Sequence, residues 1–300
     1  MRGIQGSLLL TLLLGIAGIP ALAAQTAEAD TETAAKAALE AFIGAWNTAD
    51  NAELRKTMNF PFTSLFPGGA IVARNPEDFS TDYATMRQRN DWTRSAFDFE
   101  TLQILASSDD KVHAAIDFRR FNSEDEPYMQ GRVFYIINRR DGHWGLQMRT
   151  AFANSLAAEA ADGMEALEGA RQTVLDFFTA FNAGDVDGVT EPLNYPHVFV
   201  VGAGVSVAAD AGAASVRPSF EGMREAQGWY MSSIDSLEAS YITRNKVHLD
   251  LVFSRWHPDG TRYMTVPALW ILTRVDEHWG IQLRSLMPAT LGDLVPSLTR

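Results

Sequence analysis

Apolar positions fall at helical spacing near the start of the chain and at strand spacing after it. Leu39, Phe42, Ile43 and Trp46 stand at i, i+3, i+4 and i+7, the single apolar face of a helix over about Thr33 to Thr48. Asp50, with Glu53 three residues on, has capping-box spacing and predicts a short second helix. Met58 to Phe62 lead into an extended apolar segment, and Gly68-Gly69 turn it into a short strand, Ala70 to Ala73. Pro76 suits the first position of a third helix reaching about Arg89. From Trp92 the period changes to that of strands. Phe97 to Leu105, Val112 to Phe121, Tyr128 to Asn138 and Trp144 to Phe152 are separated by polar turns such as Arg140-Asp141-Gly142. The expectation is an α+β unit: three helices packed on one face of a curved antiparallel sheet, forming a cone.

The same pattern then returns. Gly142-His143-Trp144-Gly145-Leu146-Gln147-Met148-Arg149 is answered by Glu277-His278-Trp279-Gly280-Ile281-Gln282-Leu283-Arg284, an offset of 278 − 143 = 135. The offset reaches upstream: Asp185 answers Asp50, Leu193 to His197 answer Met58 to Phe62, and Val247-His248 answer Val112-His113. A two-residue insertion in Ala208 to Ser215 raises the offset to 137 at Trp229-x-x-Ser232-x-x-Asp235, the counterpart of Trp92-x-x-Ser95-x-x-Asp98. Two copies of one unit are expected, over 33–155 and 169–290, joined by an Ala/Glu-rich helical linker over 156–168 and followed by a tail over 291–300.

The start of the chain reads as an export signal over 1–23. Arg2 is followed by an apolar run to Ile19, Pro20 and the small-residue pattern Ala21-Leu22-Ala23, with a flexible leader over 24–32 behind it. The protein is therefore expected to be exported, periplasmic or secreted. No cysteine occurs, so disulfide and thiol chemistry are excluded and each unit must be held by its core. Net charge is −12; removing 1–23 takes away only Arg2 and gives −13. That balance argues against nucleic acid and anionic membrane surfaces as partners.

Helix ends Trp46-Asn47-x-x-Asp50 and Phe181-Asn182-x-x-Asp185, together with the Trp-Gly-x-Gln-x-Arg final strands, resemble the nuclear-transport-factor-2-like superfamily. These are the SnoaL-like and ketosteroid-isomerase-like cones, and bacterial members of unassigned function are the most similar. The resemblance covers nearly all of each copy. It implies a mostly apolar pocket between sheet and helices, suited to a small hydrophobic molecule. In the ketosteroid-isomerase branch a carboxylate base comes from the strand region after the second helix. Here Met58 to Val72 and Leu193 to Val205 contain no Asp or Glu, so that activity is not implied.

His197 is the one titratable side chain in its segment, where the first copy has Phe62. It is the candidate catalytic residue; the plainer alternative is a half-buried imidazole with one hydrogen bond. Tyr195, Trp229, Tyr230, Ser232, Asp235, Trp92 and Ser95 are the candidate ligand-binding residues, although recurrence of Trp-x-x-Ser-x-x-Asp in both copies also suits a structural cap. The stripe His113, Asp117, Gln147, Arg149 and its counterpart His248, Asp250, Gln282, Arg284 reads as a catalytic cluster or as the face on which the units pack as an intramolecular pseudo-dimer. His143 and His278 sit in hairpin turns. No His-x-His or His-Glu-x-x-His spacing suggests a metal, and Gly202-x-Gly204 lacks the rest of a nucleotide loop, so no metal and no cofactor is expected. The second unit is expected to carry the function, as a binder of a small, mostly apolar molecule. The alternatives are an isomerase, dehydratase or cyclase using His197, and a non-catalytic interaction scaffold.

Overall fold

The computed structural model describes residues 19–66, 69–153 and 160–291. The first unit runs α1 (Ile19–Asn47), α2 (Asn51–Arg55), β1 (Met58–Phe66), β2 (Gly69–Ala73), α3 (Tyr83–Asn90), β3 (Arg94–Ser108), β4 (Lys111–Phe121), β5 (Pro127–Arg140) and β6 (His143–Ala153). The second runs α4 (Ala160–Ala183), β7 (Leu193–Val201), β8 (Gly204–Ala208), α5 (Phe220–Gln227), β9 (Met231–Thr243), β10 (Lys246–Trp256), β11 (Arg262–Val275), β12 (His278–Leu286) and β13 (Thr290–Leu291). Both units are α+β.

Strand order is β2-β1-β6-β5-β4-β3 in one sheet and β8-β7-β12-β11-β10-β9 in the other. The four-strand meander is antiparallel, but the hairpin joins it through parallel pairing of β1 with β6 and of β7 with β12, so each sheet is mixed. Close approach at that seam explains the repeated Trp-Gly. A Cβ on Gly145 would lie 3.0 Å from the Met58 backbone, and one on Gly280 2.9 Å from the Asn194 nitrogen.

Several boundaries differ from the sequence reading. α1 begins at Ile19, so the leader expected over 24–32 is helical; beyond Pro20 that stretch is Ala-rich and contains no helix breaker. Residues 1–18 of the export signal and 292–300 of the tail lie outside the described residues. The linker from Ala160 onward is the front of α4, and Ala166 is buried in the second core. The third helix does not start at Pro76. Pro76–Asp78 form a 3-10 turn capped by Asn75, Phe79 is extended, and Asp82 caps α3 by accepting from the Thr85 amide at 2.8 Å. Asp50 caps α2, accepting from the Ala52 amide at 2.7 Å, while Glu53 pairs with Lys56. The second unit has turns where α2 would be: Gly188 stands in place of Glu53, and Asp185 accepts from the Asp187 and Gly188 amides.

Each unit has its own core between helices and sheet, with Leu39, Phe42, Trp46 and Trp92 in the first and Val174, Phe177, Phe178 and Trp229 in the second. A third apolar cluster belongs to both. Leu65, Ala115, Phe134, Ile136 and Met148 of the first sheet meet Val198, Val200, Leu269, Ile271 and Leu283 of the second. The sheets therefore pack face to face. Polar contacts ring this seam in crossed pairs. Lys111 donates to the Leu286 carbonyl, and Lys246 donates to Thr150 Oγ1 at 2.6 Å and to the Ala151 carbonyl at 3.2 Å. His113 Nε2 lies 2.9 Å from Ser285 Oγ, and the His248 ring meets Phe134 edge-on at 5.3 Å. Of the polar stripe, His113 and His248 are thus in the seam.

Candidate functional site

Arg149 and Arg284 are not in that seam, and the cause is a β-bulge. Ile136 pairs with Met148 but Ile137 pairs with Leu146, so Gln147 is an extra residue in β6. Leu146 accordingly joins the helix-side core while Met148, two residues on, faces the other sheet. Beyond the bulge the alternation is inverted, and Arg149 points under the helices. The same shift between Ile271 and Leu272 turns Arg284 inward in the second unit. Gln147 and Gln282 stay at the seam between strands and donate to the carbonyls of Pro61 and Pro196.

Each inward arginine lines a cavity between sheet and first helix. The first unit's holds about 150 Å³, bounded chiefly by Phe42, Ile43, Trp46, Phe97, Phe118, Val133 and Tyr135, with Ser64, Ser95, Arg120 and Arg149 as its polar groups. The matched space in the second unit holds about 60 Å³. Matched positions explain the difference: Phe178 replaces Ile43, Phe199 replaces Ser64, Trp270 replaces Tyr135 and Leu286 replaces Ala151. The larger of the two matched cavities is thus in the first unit, whereas the expectation placed the pocket in the second.

The arginines are held differently. In the second unit Arg284 Nε donates to His197 Nε2 at 3.1 Å, and its Cζ lies 5.0 Å from the Phe177 ring and 4.7 Å from the Phe199 ring. In the first, Arg149 Nε donates to Ser64 Oγ at 3.1 Å, and its Cζ lies 5.5 Å from Trp46, 5.9 Å from Phe62 and 5.8 Å from Phe79. Burial lowers the pKa of both guanidiniums, that of Arg284 to about 10. Burial also raises that of the Tyr135 hydroxyl, which stays protonated and able to donate.

His197 is fully buried, with Nδ1 2.8 Å from the Ile281 carbonyl. Nδ1–H donates there and Nε2 accepts from Arg284, so neither nitrogen is free to take a proton from a substrate. Burial first, then the Arg284 charge, hold its pKa well below the usual imidazole value. His197, the candidate catalytic residue, lies beneath Arg284 with both ring nitrogens in hydrogen bonds, and it lines neither cavity.

Of the expected ligand-binding residues only Ser95 and Ser232 line the cavities. Trp92 and Trp229 are core: their indole N–H groups donate to Ser95 Oγ at 3.0 Å and Ser232 Oγ at 3.1 Å. Asn47 and Asn182 clasp the backbone of the same serines from the ends of α1 and α4, so Trp-x-x-Ser ties helix to strand. Tyr195 donates to the Thr190 carbonyl at 3.1 Å, Asp235 accepts from Ser254, and Tyr230 is 59% exposed outside either cavity. Arg149, part of the polar stripe, lines the cavity instead of the packing face, and the sequence reading does not single out Arg120, Ser64 or Tyr135. For Ser64 and Tyr135 the signal is a smaller residue than the second copy has at the matched position; for the arginines, which both copies share, no such signal exists.

No protein-family model matches the sequence, and no curated protein matches it. Among solved structures the chain is similar to an NTF2-like protein with a cystatin-like fold from Novosphingobium aromaticivorans, at 15% identity and TM-score 0.36, covering 45% of this chain and 86% of that one. It is also similar to a ketosteroid isomerase-like protein from Erwinia carotovora (15% identity, TM-score 0.33, 41% and 95% covered). An NTF2-like protein from Shewanella oneidensis gives 11% identity, TM-score 0.32 and 40% and 97% covered. The order of elements, with helices before a hairpin and a meander closing on that hairpin in parallel, occurs twice in the chain, as the sequence resemblance implies.

Proposed function

We propose that this protein binds a small, mostly apolar molecule in the cavity of its first unit, and that it does so after export. The observation that carries the reading is the unequal filling of two matched sites: about 150 Å³ in one copy and about 60 Å³ in the other. A cavity of about 150 Å³ is the size that accommodates one benzene-sized ring. Arg2, the apolar run to Ile19 and Ala21-Leu22-Ala23 support export. Isomerase, dehydratase or cyclase chemistry asks for a positioned base. The residues lining the open cavity include no His, Asp or Glu, which favours binding over catalysis.

Titration of the whole protein with toluene and benzyl alcohol, followed by NMR, tests the reading. Binding is expected, with shifts at Trp46 and Tyr135. Ser64→Phe and, separately, Ile43→Phe install the second unit's residues and are expected to abolish it. Shifts that persist in both folded variants would place the ligand elsewhere.

A further inference from the structure

We infer that the ligand of the first unit's cavity is a small organic anion, a carboxylate on a single ring or a short apolar chain, held by Arg149 and Arg120. This deepens the binding reading and rests on it. Both guanidiniums border the cavity and approach the same indole: the Trp46 ring lies 5.5 Å from Arg149 Cζ and 5.3 Å from Arg120 Cζ. Elsewhere in the chain Arg94, Arg132, Arg217, Arg262 and Arg274 pair with carboxylates. Among the described residues no ion pair involves Arg149 or Arg120, and no acidic side chain lines the cavity.

Two like charges gathered in an apolar pocket are costly. Burial and the Arg120 charge both act against ionised Arg149. A carboxylate bound in the cavity they both line would relieve both effects, and a guanidinium presents paired N–H donors that match its two oxygens. Ser64 and Ser95 add hydroxyls at the same wall.

The second unit shows how the rest of the ligand would lie. There the Phe199 ring takes the place of Ser64 and stacks 4.7 Å from Arg284 Cζ. With serine at that position the first unit leaves ring-sized space beside Arg149, and a ligand ring there would meet guanidinium and indole faces. The outer arginines sit against matched tyrosines, Arg120 on Tyr128 and Arg255 on Tyr263, and Arg255 alone donates in addition to Gln227, at 3.1 Å.

The test compares benzoate, benzyl alcohol and toluene on the full chain by calorimetry at pH 7. Benzoate is expected to bind at least about tenfold more tightly than either neutral probe, the worth of a charge-assisted hydrogen bond. Arg149→Met should lose that preference while retaining benzyl alcohol, and Arg120→Gln, at a partly exposed position, should weaken benzoate alone. Thermal unfolding of each variant reports whether it is folded; if Arg149→Met is not, Arg120→Gln decides. Neutral probes binding as tightly as benzoate would overturn the anion and leave the apolar cavity standing. No binding of any probe would overturn both.

Discussion

His197 serves Arg284 as a hydrogen-bond acceptor, across 3.1 Å, with its second nitrogen committed to the Ile281 carbonyl. In the first unit Phe62 fills the matched position and Ser64 takes over as acceptor for Arg149. One arginine is thus fixed by an imidazole below it and the other by a hydroxyl beside it, and only the second arrangement leaves room for a guest.

His197→Phe is therefore expected to cost stability and spare ligand binding. Arg284 Nε and the Ile281 carbonyl both lose their partners, a loss of about 1–3 kcal/mol. Urea unfolding should show it, while probe titration of the first cavity stays unchanged. Loss of binding in a folded His197→Phe protein would return the functional site to the second unit.

Acid should unfold the protein from the neutral side of the imidazole range. His113, His197 and His248 are buried, and burial is the leading cause that lowers each pKa, to about 3 for His113. In the folded state they stay neutral as the pH falls, whereas the unfolded chain protonates them near pH 6.5. The stability they contribute is complete above about pH 6.5 and is lost below it, by up to about 1.4 kcal/mol per group per pH unit. Urea midpoints at pH 7, 6 and 5 should fall steeply, and His113→Asn with His248→Asn should flatten the fall. A wild-type profile flat from pH 7 to 5 would contradict this.

Lys246 makes the opposite end of the scale informative. Burial lowers its pKa to about 7 and that of Lys111 to about 8. Between those values and about 10.5 the unfolded chain holds protons that the folded chain has released, so stability should rise with pH across that window. The slope is up to about 1.4 kcal/mol per pH unit for each lysine. Lys246→Met should remove its share. The measurement is the difference in unfolding free energy between pH 7 and pH 9.5, and equal slopes in wild type and variant would refute the assignment.

Much of the architecture could be read from the sequence. The period change at Trp92 and the 135-residue offset give the order of elements and their duplication, because both depend on local spacing. The site could not be read the same way. Strict alternation along Leu146 to Arg149 places Arg149 with His113, and a single extra residue at Gln147 reverses that side assignment for everything after it. A bulge is set by the partner strand's register, which one strand's sequence does not display. His197 attracted attention by being ionisable, but its role depends on Arg284, 87 residues away. The resemblance implies a pocket in each unit, but which copy keeps it open depends on substitutions between the copies, Ser64 against Phe199 and Ile43 against Phe178.

The seam between the sheets has an asymmetry of its own. Phe134 meets His248, but the matched partner of His113 is Leu269, 134 + 135. In a homodimer both halves of the contact would carry the same residue, since a two-fold interface repeats itself. Fusion removes that constraint, and each side can specialise for the other. Two copies of the first half would bring two phenyl rings to the seam, and two copies of the second would bring two leucines. The two faces are therefore no longer identical, and the duplicated chain packs as a heterodimer does, within one molecule.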